Sequence, residues 1–205
     1  SDAVCVNCCY RSCSLNILFV KFFFMKIILI ILIFQIFTVA SAQESDPFNT
    51  IQWKGKDKVP WYEWWYYKVV LPKENEAFFM VYGVVNPWDY TNQLQSSRAS
   101  VSFGDYGQRL QKEMTFPTSE FKAKKDQTFV EIADFIATNS YVRGEIIDEA
   151  GKHFYWDIDI KKDWAFNATG WATGKGITNI EWYPAQAGAK CSGQIQSDQR
   201  LWRFT

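Results

Sequence analysis

Hydrophobic and polar residues alternate along most of the chain from residue 61 onward, which is the pattern of antiparallel β-strands with one buried face. The clearest alternation lies at 153–161, where Phe154, Trp156, Ile158 and Ile160 point to one side. No stretch of ten or more residues shows helical periodicity. Turn residues between the short runs predict strands at 62–70, 76–85, 98–103, 108–115, 128–137, 141–147, 153–161, 179–183 and 193–204. We therefore predict an all-β chain, folded as an antiparallel barrel or sandwich.

The most aromatic stretch is residues 61–67, in which Glu63 is the only charged residue. On a strand, Glu63 and Trp65 point to one face, and Trp64 and Tyr66 point to the other. Because both faces are large and mostly apolar, we expect each to be covered by another layer. Ionising a carboxyl among indole rings is costly, so the pKa of Glu63 should be raised, which suits a proton donor. The alternative is that Glu63 only bonds to a backbone amide or an arginine.

A second candidate site lies on the polar side of the strand predicted at 153–161. It carries His153, Tyr155, Asp157 and Asp159. Two carboxyl groups two residues apart on one face can share a proton or bind a cation, so Asp157 and Asp159 are candidate acids. The alternative is the ordinary solvent face of an amphipathic strand. His153 is the only histidine, so no histidine-based metal site is predicted.

The first 60 residues divide into three segments. Residues 25–42 have a charged start, an apolar centre and an Ala-Ser-Ala exit, which is typical of a secretory signal peptide; the alternative is a transmembrane helix. Residues 1–24 carry four cysteines and precede the methionine at position 25, and we interpret them as a non-native upstream segment. Residues 43–60 form a polar leader, expected to lie across the outside of the fold. The domain is then 61–205, and its last predicted strand, 199–204, still runs at the C-terminus, which indicates truncation there.

Composition narrows the range of partners. Residues 43–205 carry 19 Lys and Arg against 21 Asp and Glu, a net charge of −2, which gives no electrostatic case for nucleic acid or an acidic membrane surface. The 30 aromatic residues among these 163 exceed what a core of this size needs, so they predict an aromatic-lined ligand site or barrel interior. Cys191 is their only cysteine, so no intrachain disulfide is expected. We predict a secreted or periplasmic protein with no stable membrane span after signal cleavage.

Glu63-Trp64-Trp65-Tyr66 at the start of the first strand resembles a motif of the lipocalin-like proteins that include carotenoid hydratases and tocopherol cyclases. The similarity covers roughly residues 47–204 and is closer to the cyclase branch. Further segments that resemble this branch are Arg143-Gly144-Glu145-Ile146, Thr169-Gly170-Trp171, Trp182-Tyr183-Pro184 and Cys191-Ser192-Gly193-Gln194-Ile195.

The resemblance implies a lipocalin-like β-barrel, the first of two tandem modules, that binds a long isoprenoid without a cofactor. Cyclases of this family protonate a prenyl double bond and a phenol oxygen closes the ring, whereas the hydratases trap the cation with water. Glu63 would then be the proton donor, with Asp157 or Asp159 as rival acids. The expected ligand wall is Trp64, Trp65, Tyr66, Tyr82, Trp156, Trp171 and Trp182. Two other functions stay open: a lipid-binding or carrier protein without catalysis, and a carbohydrate-binding sandwich that uses exposed tryptophans.

Overall fold

The computed structural model describes residues 49–55, 60–164, 170–172, 175, 183 and 188–205. These residues form strands and two short 3-10 turns, with no α-helix among them, so the all-β prediction is confirmed. The first sheet contains β1 (Tyr62–Leu71), β2 (Glu76–Val85), β3 (Arg98–Asp105) and β4 (Leu110–Phe116). The second contains β5 (Phe121–Ala123), β6 (Phe129–Ile132), β7 (Phe135–Thr138), β8 (Tyr141–Ile147), β9 (His153–Trp164), β10 (Gly188–Ser197) and β11 (Arg200–Phe204).

Both sheets are antiparallel, and each strand pairs with the strand before or after it in the chain. A 3-10 turn at Thr118–Glu120 leads from β4 of the first sheet to β5 of the second. Within the described residues no hydrogen-bonded strand pair joins the two sheets. The prediction of an antiparallel all-β fold is thus confirmed, whereas closure into a lipocalin-like barrel is not.

The core lies between the two sheets and is filled with aromatic side chains. Tyr82 of the first sheet and Trp156 of the second are fully buried, and the ring of Phe103 stacks on Trp156 with centroids 5.5 Å apart. This packing requires a glycine at position 144, because a Cβ atom there would lie 2.3 Å from the Trp156 ring and 2.5 Å from Phe135. The alternation predicted for 153–161 is confirmed, since Phe154, Trp156, Ile158 and Ile160 are all buried.

Buried polar groups connect the sheets as well. The Tyr67 hydroxyl donates to the Thr138 carbonyl at 3.0 Å, so it joins β1 to β7. At one end of the core Arg200 contacts both Glu76, at 2.7 Å, and Asp105, at 3.0 Å. The Asp105 side chain is fully buried, and Gln108 donates to it from its backbone and side-chain nitrogens. Each acid therefore has a partner, as burial of a charge requires.

Three sequence predictions differ from the structure. The predicted strand 128–137 is a hairpin of β6 and β7, which turns at Ala133 with a positive φ of 51°. The strand predicted from residue 193 begins earlier, as β10 from Gly188, whereas the final strand, predicted at 199–204, is confirmed as β11, with Asp198 at φ 58° between the two. Ile51, from the leader expected outside the fold, is buried in the core. The upstream segment, the signal peptide and most of the predicted strand 179–183 lie outside the described residues.

Candidate functional site

The first sheet carries an aromatic surface on the side that faces away from the core. Tyr62, Trp64 and Tyr66 of β1 are 50%, 43% and 47% exposed, and Tyr106 in the β3–β4 turn is 48% exposed. The half-buried ring of Phe79 on β2 joins them. We call Tyr62, Trp64, Tyr66, Phe79 and Tyr106 the outer aromatic face. The expectation that both faces of β1 are covered is therefore wrong, because the side with Trp64 and Tyr66 is exposed.

Ring contacts organise the outer aromatic face into two groups. Tyr62 and Trp64 stack with centroids 5.4 Å apart and planes 4° from parallel. Phe79 stacks on Tyr66 at 5.8 Å and meets Tyr106 edge-on at 5.6 Å. Such geometries stabilise aromatic pairs by about 0.5–1.5 kcal/mol beyond their buried area. The rings therefore hold one another in place before any ligand arrives.

Small residues on the neighbouring strands make room for these rings. Gly83 of β2 pairs with Trp64, and Gly104 of β3 pairs with Phe79. A Cβ atom on Gly104 would lie 1.9 Å from the Phe79 ring, so this ring lies directly over the glycine. The register of three strands thus fixes the position of Phe79 beside Tyr66.

Two polar groups stand at the Tyr106 end of the outer aromatic face. The Tyr66 and Tyr106 hydroxyls are 3.0 Å apart, and the Lys68 ammonium lies 5.1 Å from the centre of the Tyr106 ring. Burial, and then the hydrogen bond with Tyr106, raise the pKa of Tyr66 to about 12. The Tyr66 hydroxyl is therefore a neutral hydrogen-bonding group at physiological pH, and it is not a base.

Glu63 lies on the opposite side of β1 from Trp64 and is half-buried. Its two oxygens accept the backbone N–H of Gln52 at 2.9 and 3.1 Å, and one also accepts the Trp61 indole N–H at 3.2 Å. Burial raises the pKa of Glu63, as the sequence predicted, although these hydrogen bonds and one from the Trp53 backbone oppose that rise. These N–H groups bind the Glu63 carboxylate as a hydrogen-bond acceptor. This agrees with the alternative prediction, in which Glu63 only bonds to a backbone amide.

Three residues of the predicted ligand wall belong to the core. Trp65 is buried and donates its indole N–H to the Asn49 carbonyl at 3.0 Å. The Trp156 indole donates to the Tyr82 hydroxyl at 2.9 Å, and that hydroxyl donates to the Arg143 carbonyl at 2.9 Å. All three polar groups are thus paired within the protein.

The other two candidate acids lie on the outward side of the second sheet. Arg143 bonds to Asp157 at 2.7 Å and lies 3.6 Å from Asp159. Because Asp157 and Asp159 face away from the core and Glu63 belongs to the first sheet, the structure does not bring the three acids together. The positions of Asp157 and Asp159 therefore agree with the alternative prediction, in which they belong to the ordinary solvent face of an amphipathic strand.

The remaining predicted residues lie on or beside the segment between β9 and β10. Trp171 is 76% exposed, and Lys175 lies 5.1 Å from its ring centre. Trp182 lies outside the described residues. Of the predicted ligand wall, only Trp64 and Tyr66 therefore belong to the outer aromatic face.

Sequence reasoning missed a depression that opens beside the outer aromatic face. It has a volume of about 280 Å³ and is lined by Phe79, Asp105, Tyr106, Arg109, Leu110 and Gln111. The sequence places Phe79 on the outward side of β2, but its contact with Tyr106 follows from the β2–β3 register. Arg109 lies in a turn, where no alternation of hydrophobic and polar residues indicates which way its side chain points.

Neither a metal site nor a reactive thiol emerges from the part of the chain that the structure describes. No three His, Cys, Asp or Glu side chains cluster there as metal ligands would. Cys191 is half-buried, and burial raises the pKa of its thiol, so the nucleophilic thiolate is disfavoured. None of the helical turns in this part is long and apolar enough to span a membrane.

Comparisons with known proteins returned no matching family model, no matching curated protein and no matching solved structure.

Proposed function

We propose that this protein binds an apolar, isoprenoid-type ligand on the outer aromatic face, as an exported carrier of lipocalin-like type. The observation that supports this proposal is that Tyr62, Trp64, Tyr66 and Tyr106 are exposed on one side of the first sheet, in two groups of contacting rings that include the half-buried Phe79. Contiguous apolar patches on soluble proteins mark binding surfaces. The isoprenoid class and the lipocalin-like type rest on the resemblance of residues 63–66 to that family.

The packing of the core favours a surface site over an interior one. Tyr82, Phe103 and Trp156 fill the space between the sheets, and the hydroxyl of Tyr82 and the indole N–H of Trp156 are paired with each other. A ligand between the sheets would have to displace these rings and break a buried hydrogen bond. The outer aromatic face needs no such rearrangement.

Fluorescence titration tests this proposal with retinol, a flat polyene isoprenoid alcohol, as the probe. Replacing Trp64 by alanine removes an exposed ring of the outer aromatic face near the start of β1. We expect binding to weaken about tenfold, which corresponds to about 1.4 kcal/mol. Trp171→Ala is the matched control, because Trp171 is also an exposed tryptophan and lies outside the outer aromatic face. Equal affinities of wild type and Trp64→Ala would refute the proposal.

The raised pKa of Glu63 supports a second candidate, a cofactor-free cyclase. In that reaction the Glu63 proton would move to an alkene carbon, the phenol oxygen would bond to the resulting cation, and the phenol proton would return to the carboxylate. Incubating a prenylated quinol with the protein in D₂O tests this sequence of steps. A ring-closed product with one deuterium on carbon, lost in Glu63→Gln, would establish it, whereas quinol retained unchanged in native mass spectra would favour the carrier.

A further inference from the structure

We propose that the ligand is a single amphipathic anion, whose carboxylate or phosphate group binds beside Arg109 and Lys68 while its apolar body lies on the outer aromatic face. This inference rests on the proposed function and specifies the ligand class of the same surface. Its geometric basis is that the depression and the aromatic surface share two walls, Phe79 and Tyr106.

The depression can hold the end of a small molecule. Its volume of about 280 Å³ is at the lower limit for small-molecule pockets, about 300 Å³, so it fits a head group better than a whole ligand. Phe79, Tyr106 and Leu110 give it an apolar side, and Arg109 and Gln111 supply hydrogen-bond donors. A ligand bound there can continue over Phe79 onto Tyr66, because these two rings stack.

Charge around the depression favours an anion. Asp105, which lines the depression, and Glu76 both bond to Arg200, so each carboxylate has a partner within the protein, although one guanidinium balances only one of the two charges. Arg109 is exposed and lines the depression, and the Lys68 ammonium lies 5.1 Å from the centre of the Tyr106 ring. These two acids and three basic groups together carry a net charge of +1, and a guanidinium binds carboxylate or phosphate oxygens in a bidentate manner.

The backbone conformation at Arg109 determines which substitution tests its role. Arg109 has a φ of 53°, which is the left-handed region, where asparagine or glycine costs less than a long side chain. A long side chain held in this conformation strains the backbone. Arg109→Asn therefore removes the guanidinium without adding backbone strain, and we expect the variant to be at least as stable as wild type.

The test compares retinoate with retinol, which share an isoprenoid body and differ in the head group. We expect wild type to bind retinoate at least fivefold more tightly than retinol, with a preference that shrinks as salt rises. In Arg109→Asn this preference should disappear, because retinoate affinity should fall by a larger factor than retinol affinity, whereas the thermal midpoint should not fall. Arg98→Asn is the matched control, because Arg98 is also an exposed arginine on the outward side of the first sheet, where it pairs with Val85 at the other end of β2.

Four outcomes would overturn the inference. Equal binding of retinoate and retinol to wild type would refute the anionic head group and leave the proposed function standing. An equal loss in Arg98→Asn and Arg109→Asn would mean that general surface charge attracts the ligand. Sedimentation with anionic vesicles, but no binding of retinoate in solution, would replace the single ligand by a membrane surface. If neither probe binds, both this inference and the proposed function are refuted.

Discussion

Replacing Tyr82 by phenylalanine tests whether the buried aromatic residues hold the two sheets together. Tyr82 lies on β2, is fully buried and bonds through one hydroxyl to two groups of the second sheet. Burial raises its pKa, so the hydroxyl keeps its proton and can donate. The substitution removes one oxygen, and the ring can stay in place. Its effect on stability therefore measures these two hydrogen bonds.

The expected cost follows from the groups left behind. The Trp156 indole N–H would lose its buried acceptor, which costs about 1–3 kcal/mol. Loss of the hydrogen bond to the Arg143 carbonyl adds about 1 kcal/mol. Tyr67→Phe is the matched comparison, because Tyr67 is also buried but makes only one of these inter-sheet bonds, to Thr138. We expect about 2–4 kcal/mol for Tyr82→Phe and about 1 kcal/mol for Tyr67→Phe.

Urea denaturation followed by circular dichroism measures both free energies of unfolding. The slope with urea should be unchanged, since neither variant alters the surface exposed on unfolding. A loss for Tyr82→Phe that does not exceed the loss for Tyr67→Phe would refute the reasoning. It would mean that Trp156 finds another acceptor, or that Tyr82 does not lie between the sheets.

Three further predictions concern stability. Gly144→Ala should cost about 3 kcal/mol in urea denaturation, because its methyl group would lie 2.3 Å from the Trp156 ring; a loss below about 0.5 kcal/mol would contradict that packing. Burial raises the pKa of Glu63 above its ordinary 4.5, so the native state binds this proton more tightly than the unfolded chain does, and wild type should lose stability as pH rises above about 4.5. Glu63→Gln should not lose stability in this way. If the difference in thermal midpoint between wild type and Glu63→Gln stays constant from pH 4 to pH 7, this prediction is wrong. Arg200→Met should cost about 2–4 kcal/mol because it leaves the carboxylates of Glu76 and Asp105 without their shared partner. Lys122→Met, at an exposed ion pair, should cost clearly less; similar losses in the two variants would contradict this prediction.

Much of the local structure could be predicted, because the alternation of hydrophobic and polar residues indicates which residues share a face of a strand. The opposite orientation of Glu63 and Trp64 is confirmed, and so is the buried side of the strand that contains Trp156. One turn escaped detection because Ala133 adopts a positive φ without a glycine or proline to mark it. The missed turn converted the hairpin of β6 and β7 into one long predicted strand.

The arrangement of the outer aromatic face could not be predicted from the pattern. Hydrophobicity suggested that Trp64 and Tyr66 would be covered, but indole N–H and phenol O–H groups tolerate water at the surface. The contact between Phe79 and Tyr66 depends on strand register, which places Phe79 opposite Lys68 and Gly104. Register arises from the pairing of whole strands, so no single segment of the chain encodes this cluster.

The pairing of each strand with its chain neighbours has a kinetic consequence. Every strand pair in the described residues can form by extending a hairpin or by adding the next strand in order, so little loop-closure entropy opposes growth of each sheet. Only docking of one sheet on the other brings distant residues together. We therefore expect the two sheets to behave as separate cooperative units in native-state hydrogen exchange, with the slowest amides on the interior strands β2 and β3 of the first sheet and β8 and β9 of the second. A protein built this way can open at the sheet interface while each sheet keeps its hydrogen bonds.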